Sequence, residues 1–193
     1  MRIREVYSHF NLSGNPFSKE NKTEFLKALP GVKEAEGQLQ VLFDTKGIGV
    51  LTGKSGTGKS CLLRKVTDSQ PKGLCKTHYF CHTSVGILEF YTHICNAFGL
   101  GPSGRRASMF KTIHDHIVHQ ILIIDEADKL GNDILQEIRL IADFNYDSFD
   151  AVTILLCGQE SLLQKFGLSI LESLANSVTA AVEKEHVQAI LSR

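Results

Sequence analysis

The stretch Gly47-Ile48-Gly49-Val50-Leu51-Thr52, continuing through Gly53-Lys54-Ser55-Gly56-Thr57-Gly58-Lys59-Ser60 into Cys61-Leu62-Leu63-Arg64-Lys65-Val66, decides the fold. An apolar run feeds a glycine-rich turn, and the turn opens into apolar residues at helical spacing. The middle eight residues read G-x-x-x-x-G-K-S, a phosphate-binding loop. Gly53, Gly56 and Gly58 lack a Cβ, so the backbone can turn through positive φ and approach an anion closely. The expected cradle runs over Gly53, Ser55, Gly56, Thr57, Gly58, Lys59, Ser60 and Cys61, with N–H groups pointing inward at the positive end of the following helix. Lys59 is expected to reach the β- and γ-phosphates, and the Ser60 hydroxyl to hold Mg²⁺. A glycine turn alone need bind nothing. Strand, loop and helix in this order make a nucleoside triphosphate the expected ligand.

Working outward, a chain of 193 residues suits one domain, large enough to bury its apolar surface without disulfides or metal. No apolar run reaches the ~18 residues of a membrane span, and Met1-Arg2-Ile3-Arg4-Glu5 leads into no signal-peptide core. The five cysteines form no C-x-x-C pair, so a reducing cytoplasm is the expected compartment, with no membrane partner. Lys+Arg and Asp+Glu both total 21, which removes a global basic footprint for nucleic acid and leaves only a local patch possible.

Upstream of the loop, Val32, Leu39, Leu42 and Phe43 predict a helix over about 32–43. Before it, residues 1–30 are polar and turn-rich around Asn11-Leu12-Ser13-Gly14-Asn15-Pro16-Phe17. Pro16 pushes Asn15 towards an extended conformation, which suggests an ordered arm packed on the core. That arm reads either as a docked tail or as one wall of an adenine pocket. Downstream, a helix is expected from Lys59 to about Thr67, a strand over Thr77–His82, and helices over Val85–Phe98 and Ser108–His119. Ile121-Leu122-Ile123-Ile124 is a continuous apolar run, as in a strand covered on both faces. A helix follows over about Asn132–Phe144, then a second buried strand over Ala151–Cys157, and helix from Ser161 to the C-terminus. Strands alternating with helices predict an α/β fold, a parallel sheet with helices on both faces.

The second half of the site starts at Asp125 and Glu126, at the carboxyl end of a buried strand, where such sheets place their ligands. Asp125 is expected to order Mg²⁺ and Glu126 to orient and partly deprotonate the attacking water. An acidic pair can be merely a solvated turn. The phosphate loop about 65 residues upstream, room for an intervening βα unit, favours the catalytic reading. Gln159, after the next buried strand, would lie beside Asp125 if the two strands are neighbours, and its amide could contact the γ-phosphate or the lytic water. Other signals are weaker. His114, His116 and His119 do not share one helix face. Cys75 and Cys81 with His78 and His82 alternate or separate along a strand, so zinc is not expected. Arg105-Arg106 reads as a solvated pair more readily than as a DNA phosphate contact.

The order of loop (Gly53–Ser60), acidic pair (Asp125–Glu126) and polar strand end (Gln159) resembles the AAA+ ATPases, of the ASCE class of P-loop NTPases. More narrowly, Tyr7–Phe17, Ile123–Asp128 (I-I-D-E-A-D) and Leu155–Gln159 (L-L-C-G-Q) resemble the ExeA/TniB/TnsC-type group, over nearly the whole chain. The resemblance implies ATP and Mg²⁺ as cofactors and catalytic roles for Lys59, Glu126 and Gln159, with Ser60 and Asp125 at the metal. It divides the chain into an arm (1–30), a nucleotide-binding core (31–180) and the start of an abbreviated helical lid (181–193). It also implies an ATP-controlled homo-oligomer, ring or filament, that assembles on DNA and recruits or activates a transposase or integrase. The alternatives are a secretion-assembly ATPase of ExeA type, and a nucleotide-binding switch that hydrolyses little. Members of the group carry an arginine near the start of the last core helix, and Leu171–Val178 contains none. Since such a finger can contribute ~10³–10⁵ in rate, slow unassisted hydrolysis is expected.

Overall fold

The computed structural model describes residues 30–70, 73, 75–81, 85–143 and 152–183, together with His9. In chain order the elements are α1 (Pro30–Thr45), β1 (Gly47–Thr52), α2 (Lys59–Asp68), β2 (Lys76–Phe80), α3 (Ile87–Ala97), α4 (Arg106–His114), β3 (Gln120–Ile124), a 3₁₀ turn (Ala127–Lys129), α5 (Asn132–Ala142), β4 (Val152–Gly158), α6 (Ser161–Phe166), a 3₁₀ turn (Ser169–Leu171), α7 (Glu172–Asn176) and β5 (Val178–Glu183). The five strands form one sheet in the order β2-β3-β4-β1-β5, with every neighbouring pair parallel.

The central strands are apolar without interruption because each of their faces is covered. Ile48 and Val50 of β1, Leu122 and Ile124 of β3, and Val152, Ile154 and Leu156 of β4 point to one face, where they pack with residues of α3, α4 and α5. The residues between them, among them Leu51, Ile121, Ile123, Leu155 and Cys157, point to the other face, against α1 and α2. This is the expected fold class: a parallel sheet between two helical layers, of the P-loop NTPase type. Ala35, Leu39, Leu42 and Phe43 form the buried stripe of α1 at helical spacing. Leu42 seats directly over β1, and a Cβ at Gly49 would lie 2.1 Å from its Cδ2.

Three expectations need correction. The chain beyond Ser161 is not helical to its end: two short helices give way to β5, which pairs along the outer side of β1. The backbone groups on that side of β1 need partners, and Val178-Thr179-Ala180-Ala181-Val182-Glu183 supplies them, with Val182 buried and the Thr179 hydroxyl donating to the Ile48 carbonyl at 3.1 Å. β5 therefore runs through residue 180, where the core was expected to end, and residues 181–183 belong to the sheet. The helix expected over Ser108–His119 instead spans Arg106–His114. The chain must reverse there to enter β3, and His119 does so at φ 61° while its carbonyl accepts from the Lys76 N–H. The arm motif apart from His9, together with His82, Phe144 and the expected lid beyond residue 183, lies outside the described residues. Among the described residues no helix is long and apolar enough to cross a membrane.

Candidate functional site

Because every strand runs the same way, the loops after β1, β3 and β4 emerge at one edge of the sheet. β4 lies between β1 and β3, with Thr52 level with Gly158 and Ile124 level with Leu156. A cavity of about 320 Å³ opens at that edge, lined from the first loop by Ser55, Gly56, Gly58, Lys59, Ser60 and Cys61. From the other two come Asp125, Glu126, Asp128, Lys129, Gly158 and Gln159. Of the residues expected at the site, Gly53 and Thr57 do not line the cavity; they build the loop from behind.

The loop turns on glycines at φ 153° (Gly53), 80° (Gly56) and 82° (Gly58), conformations strained for other residues. Thr57 is buried, and its hydroxyl donates to the Lys54 carbonyl at 2.9 Å, closing the loop on itself. Lys59 Nζ donates to the carbonyls of Gly53 (2.6 Å) and Lys54 (3.0 Å), so the ammonium lies along the loop. Gly58 caps α2 without a side chain, leaving the donors of the first turn directed at the cavity.

Asp125 is held from three directions. Its N–H donates to the Phe80 carbonyl at 2.8 Å, Oδ1 accepts from the Glu126 N–H at 2.9 Å, and Oδ2 accepts from the Tyr79 hydroxyl on β2. Burial and that bond to a carboxylate raise the Tyr79 hydroxyl far above the ordinary phenol range, so it stays a donor. Beneath the site, burial holds the Cys157 thiol well above its usual range, with Asp125 adding to the effect, so it remains protonated. Glu126 sits at φ 55°, and its carboxylate meets Lys129 Nζ at 2.7 Å. The Gln159 N–H donates to Asp128 Oδ1 at 3.0 Å.

Four residues of the site escaped the sequence reading. Tyr79 and Gly158 become visible only through strand order. Asp128 and Lys129 follow Glu126 closely, but nothing in their spacing says what they touch. Arg106 is occupied elsewhere: it donates through Nε and Nη2 to Glu137 Oε2 at 3.0 and 2.6 Å, and the Tyr91 hydroxyl shares that carboxylate. It is a structural ion pair rather than a free phosphate contact. The donors near the loop are hard oxygens, the Ser60 hydroxyl and the Asp125 carboxylate, which fit Mg²⁺ arriving with phosphates. Among the described residues no group of three or more His, Cys, Asp or Glu side chains is arranged to hold a metal alone.

A phosphate loop after β1, an acidic pair after β3 and a strand inserted between them define a P-loop nucleotide-binding protein. Residues 40–166, more than half of the chain, match the AAA_22 family, an AAA domain, and the chain belongs to that family of AAA+ ATPases. The General secretion pathway protein A of Aeromonas hydrophila is 29% identical over 182 residues, covering 89% of this chain. The match spans only 33% of that relative. Among solved structures, Cdc6p of Pyrobaculum aerophilum superposes with TM-score 0.67 at 18% identity, over 87% of this chain and 48% of that one. ORC1 of Aeropyrum pernix, solved in complex with DNA, gives TM-score 0.57 at 18% identity, over 81% of this chain and 46% of that one. At such identities the likeness is one of fold.

Proposed function

We propose that this chain binds ATP with Mg²⁺ in the cavity at the carboxyl edge of the sheet, hydrolyses it, and uses the cycle to control its assembly on DNA. The observation that carries the enzymatic reading is that the loop, the acidic pair and Gln159 face one cavity. The α2 amides and Lys59 bind the phosphates, the ammonium exchanging loop carbonyls for phosphate oxygens. Ser60 and Asp125 hold the magnesium, whose charge, when bound, offsets that building on the β- and γ-phosphate oxygens. Glu126 takes a proton from water as its oxygen bonds to the γ-phosphorus and the bond to the β–γ bridging oxygen breaks. The Gln159 amide contacts the γ-phosphate or that water. Without an arginine in Leu171–Val178, turnover is slow.

The DNA-directed part of the proposal is supported by the resemblance of Ile123–Asp128 and Leu155–Gln159 to the ExeA/TniB/TnsC-type group, which includes the transposition helpers. That ORC1 of Aeropyrum pernix was solved in complex with DNA adds to it. On this reading the protein acts in the cytoplasm, as a ring or filament on DNA that recruits or activates a transposase or integrase. A second reading, an ATPase serving secretion assembly, is favoured by the identity to General secretion pathway protein A. A DNA-binding titration with and without ATP decides between them: the first requires ATP to raise both DNA affinity and particle size. DNA affinity should also fall steeply with salt. Equal DNA binding in the two conditions would sink it. Phosphate release with and without DNA separates either from a switch that barely hydrolyses.

A further inference from the structure

We propose that Asp128 is a positioning residue that sets Gln159 for telling ATP from ADP, and that glycine at 158 exists to admit it. The inference rests on the nucleotide-site reading above and on Gln159 contacting the γ-phosphate.

The ladder between β3 and β4 ends at the pair Ile124–Leu156. Beyond it Cys157 and Gly158 stay paired with β1, but the ladder no longer ties them to β3 and the acidic turn that follows it. Asp128 bridges that gap, its Oδ1 accepting the Gln159 N–H at 3.0 Å across 31 residues of chain. Gly158 leaves the space for this approach. A Cβ there would stand 2.7 Å from Asp128 Oδ1 and 3.1 Å from the Asp128 backbone nitrogen, and a side-chain rotation relieves only the first.

The acceptor is itself fixed. Asp128 sits in the 3₁₀ turn Ala127–Lys129, whose first residue is fully buried. The turn's Lys129 N–H bonds the Glu126 carbonyl at 2.9 Å, and just beyond it the Leu130 carbonyl accepts Lys165 Nζ from α6 at 2.7 Å. Glu126 precedes the same turn. One turn thus ties the Gln159 backbone to the segment that follows Glu126, so the strand end that carries the γ-phosphate contact and the residue that activates water are anchored to the same few residues.

The test compares the affinity of full-length protein for a non-hydrolysable ATP analogue and for ADP, both with Mg²⁺, in wild type and four variants. Losing one hydrogen bond that orients a contact should lower the preference for the ATP analogue about 3–10-fold in Asp128→Ala, with ADP affinity unchanged. Asp128→Asn, which keeps an oxygen acceptor, should retain the preference. Gly158→Ala should lose it, and carries the test if Asp128→Ala fails to fold. The inference is overturned if these lesions leave the preference intact, or weaken ADP binding equally, the mark of a general structural role. Gln159→Ala separates the layers. An unchanged preference there removes the γ-phosphate role of Gln159 and the inference with it, whereas a fall in Gln159→Ala without one in Asp128→Ala rejects the inference alone. A wild type that binds neither nucleotide overturns the site reading itself.

Discussion

In the proposed reaction Glu126 is the base, and in the structure its carboxylate is paired with Lys129 three positions on. Both side chains are about half exposed, so the pair is weak and easily opened. Such a pair still holds the carboxylate away from a water molecule part of the time. Lys129→Ala should therefore raise the rate of phosphate release by up to about fivefold, with KM for ATP unchanged, in steady-state assays. A lower rate would show that the lysine helps to bind phosphate instead. The Asp125 carboxylate differs from Glu126 in being fixed by donors on both oxygens, which suits a group that must hold a position rather than move a proton.

At the scale of elements, the site depends on how closely α1 and the turn after β3 approach the sheet. Gly49 lets Leu42 of α1 lie against β1, the strand that carries the phosphate loop. Gly49→Ala should overpack this contact, with Leu155 Cδ1 3.3 Å from the new methyl closing one way out. A loss of about 1–3 kcal/mol in urea-unfolding free energy is expected, with no change in m-value. An unchanged midpoint would mean that Leu42 repacks freely. On the opposite face, α3, α4 and α5 meet around the nearly buried Glu137 carboxylate, which Arg106 and Tyr91 share. This triad joins three helices through one carboxylate, and it engages the arginine at the start of α4 in the fold.

For the molecule as a whole, ligand binding and folding are coupled because the cavity draws on three separate segments. A nucleotide that binds only the folded state at 100 times its Kd stabilises by about 2.7 kcal/mol. For a chain of this size that corresponds to a rise in Tm of roughly 5–11 °C. Thermal denaturation with MgATP should show this shift in wild type and in Glu126→Gln, which keeps binding while phosphate release stops. Lys59→Ala should show no shift. If Glu126→Gln still turned over at the wild-type rate, its assignment as base would be wrong. The sheet order matters at this scale too: β4 between β1 and β3 spaces loop and acids across the cleft, and β5 covers the other side of β1.

The loop, the acidic pair, Gln159 and four of the five strands were legible in the residues alone, since each is a local pattern: glycines where φ must be positive, carboxylates after an apolar run, β-branched stretches. The fifth strand was hidden because Val178–Glu183 carries two alanines at its centre and follows two helical segments, and only the outer side of β1 calls for it. Tyr79 on Asp125 and Asp128 on the Gln159 N–H were equally illegible. A hydrogen bond between residues 46 or 31 positions apart is written in the order of strands, not in spacing along the chain. The order of residues alone fixes which chemical groups stand at the strand ends of this protein; folding chooses which of them touch, because strand neighbours in a parallel sheet are set by packing across the whole core.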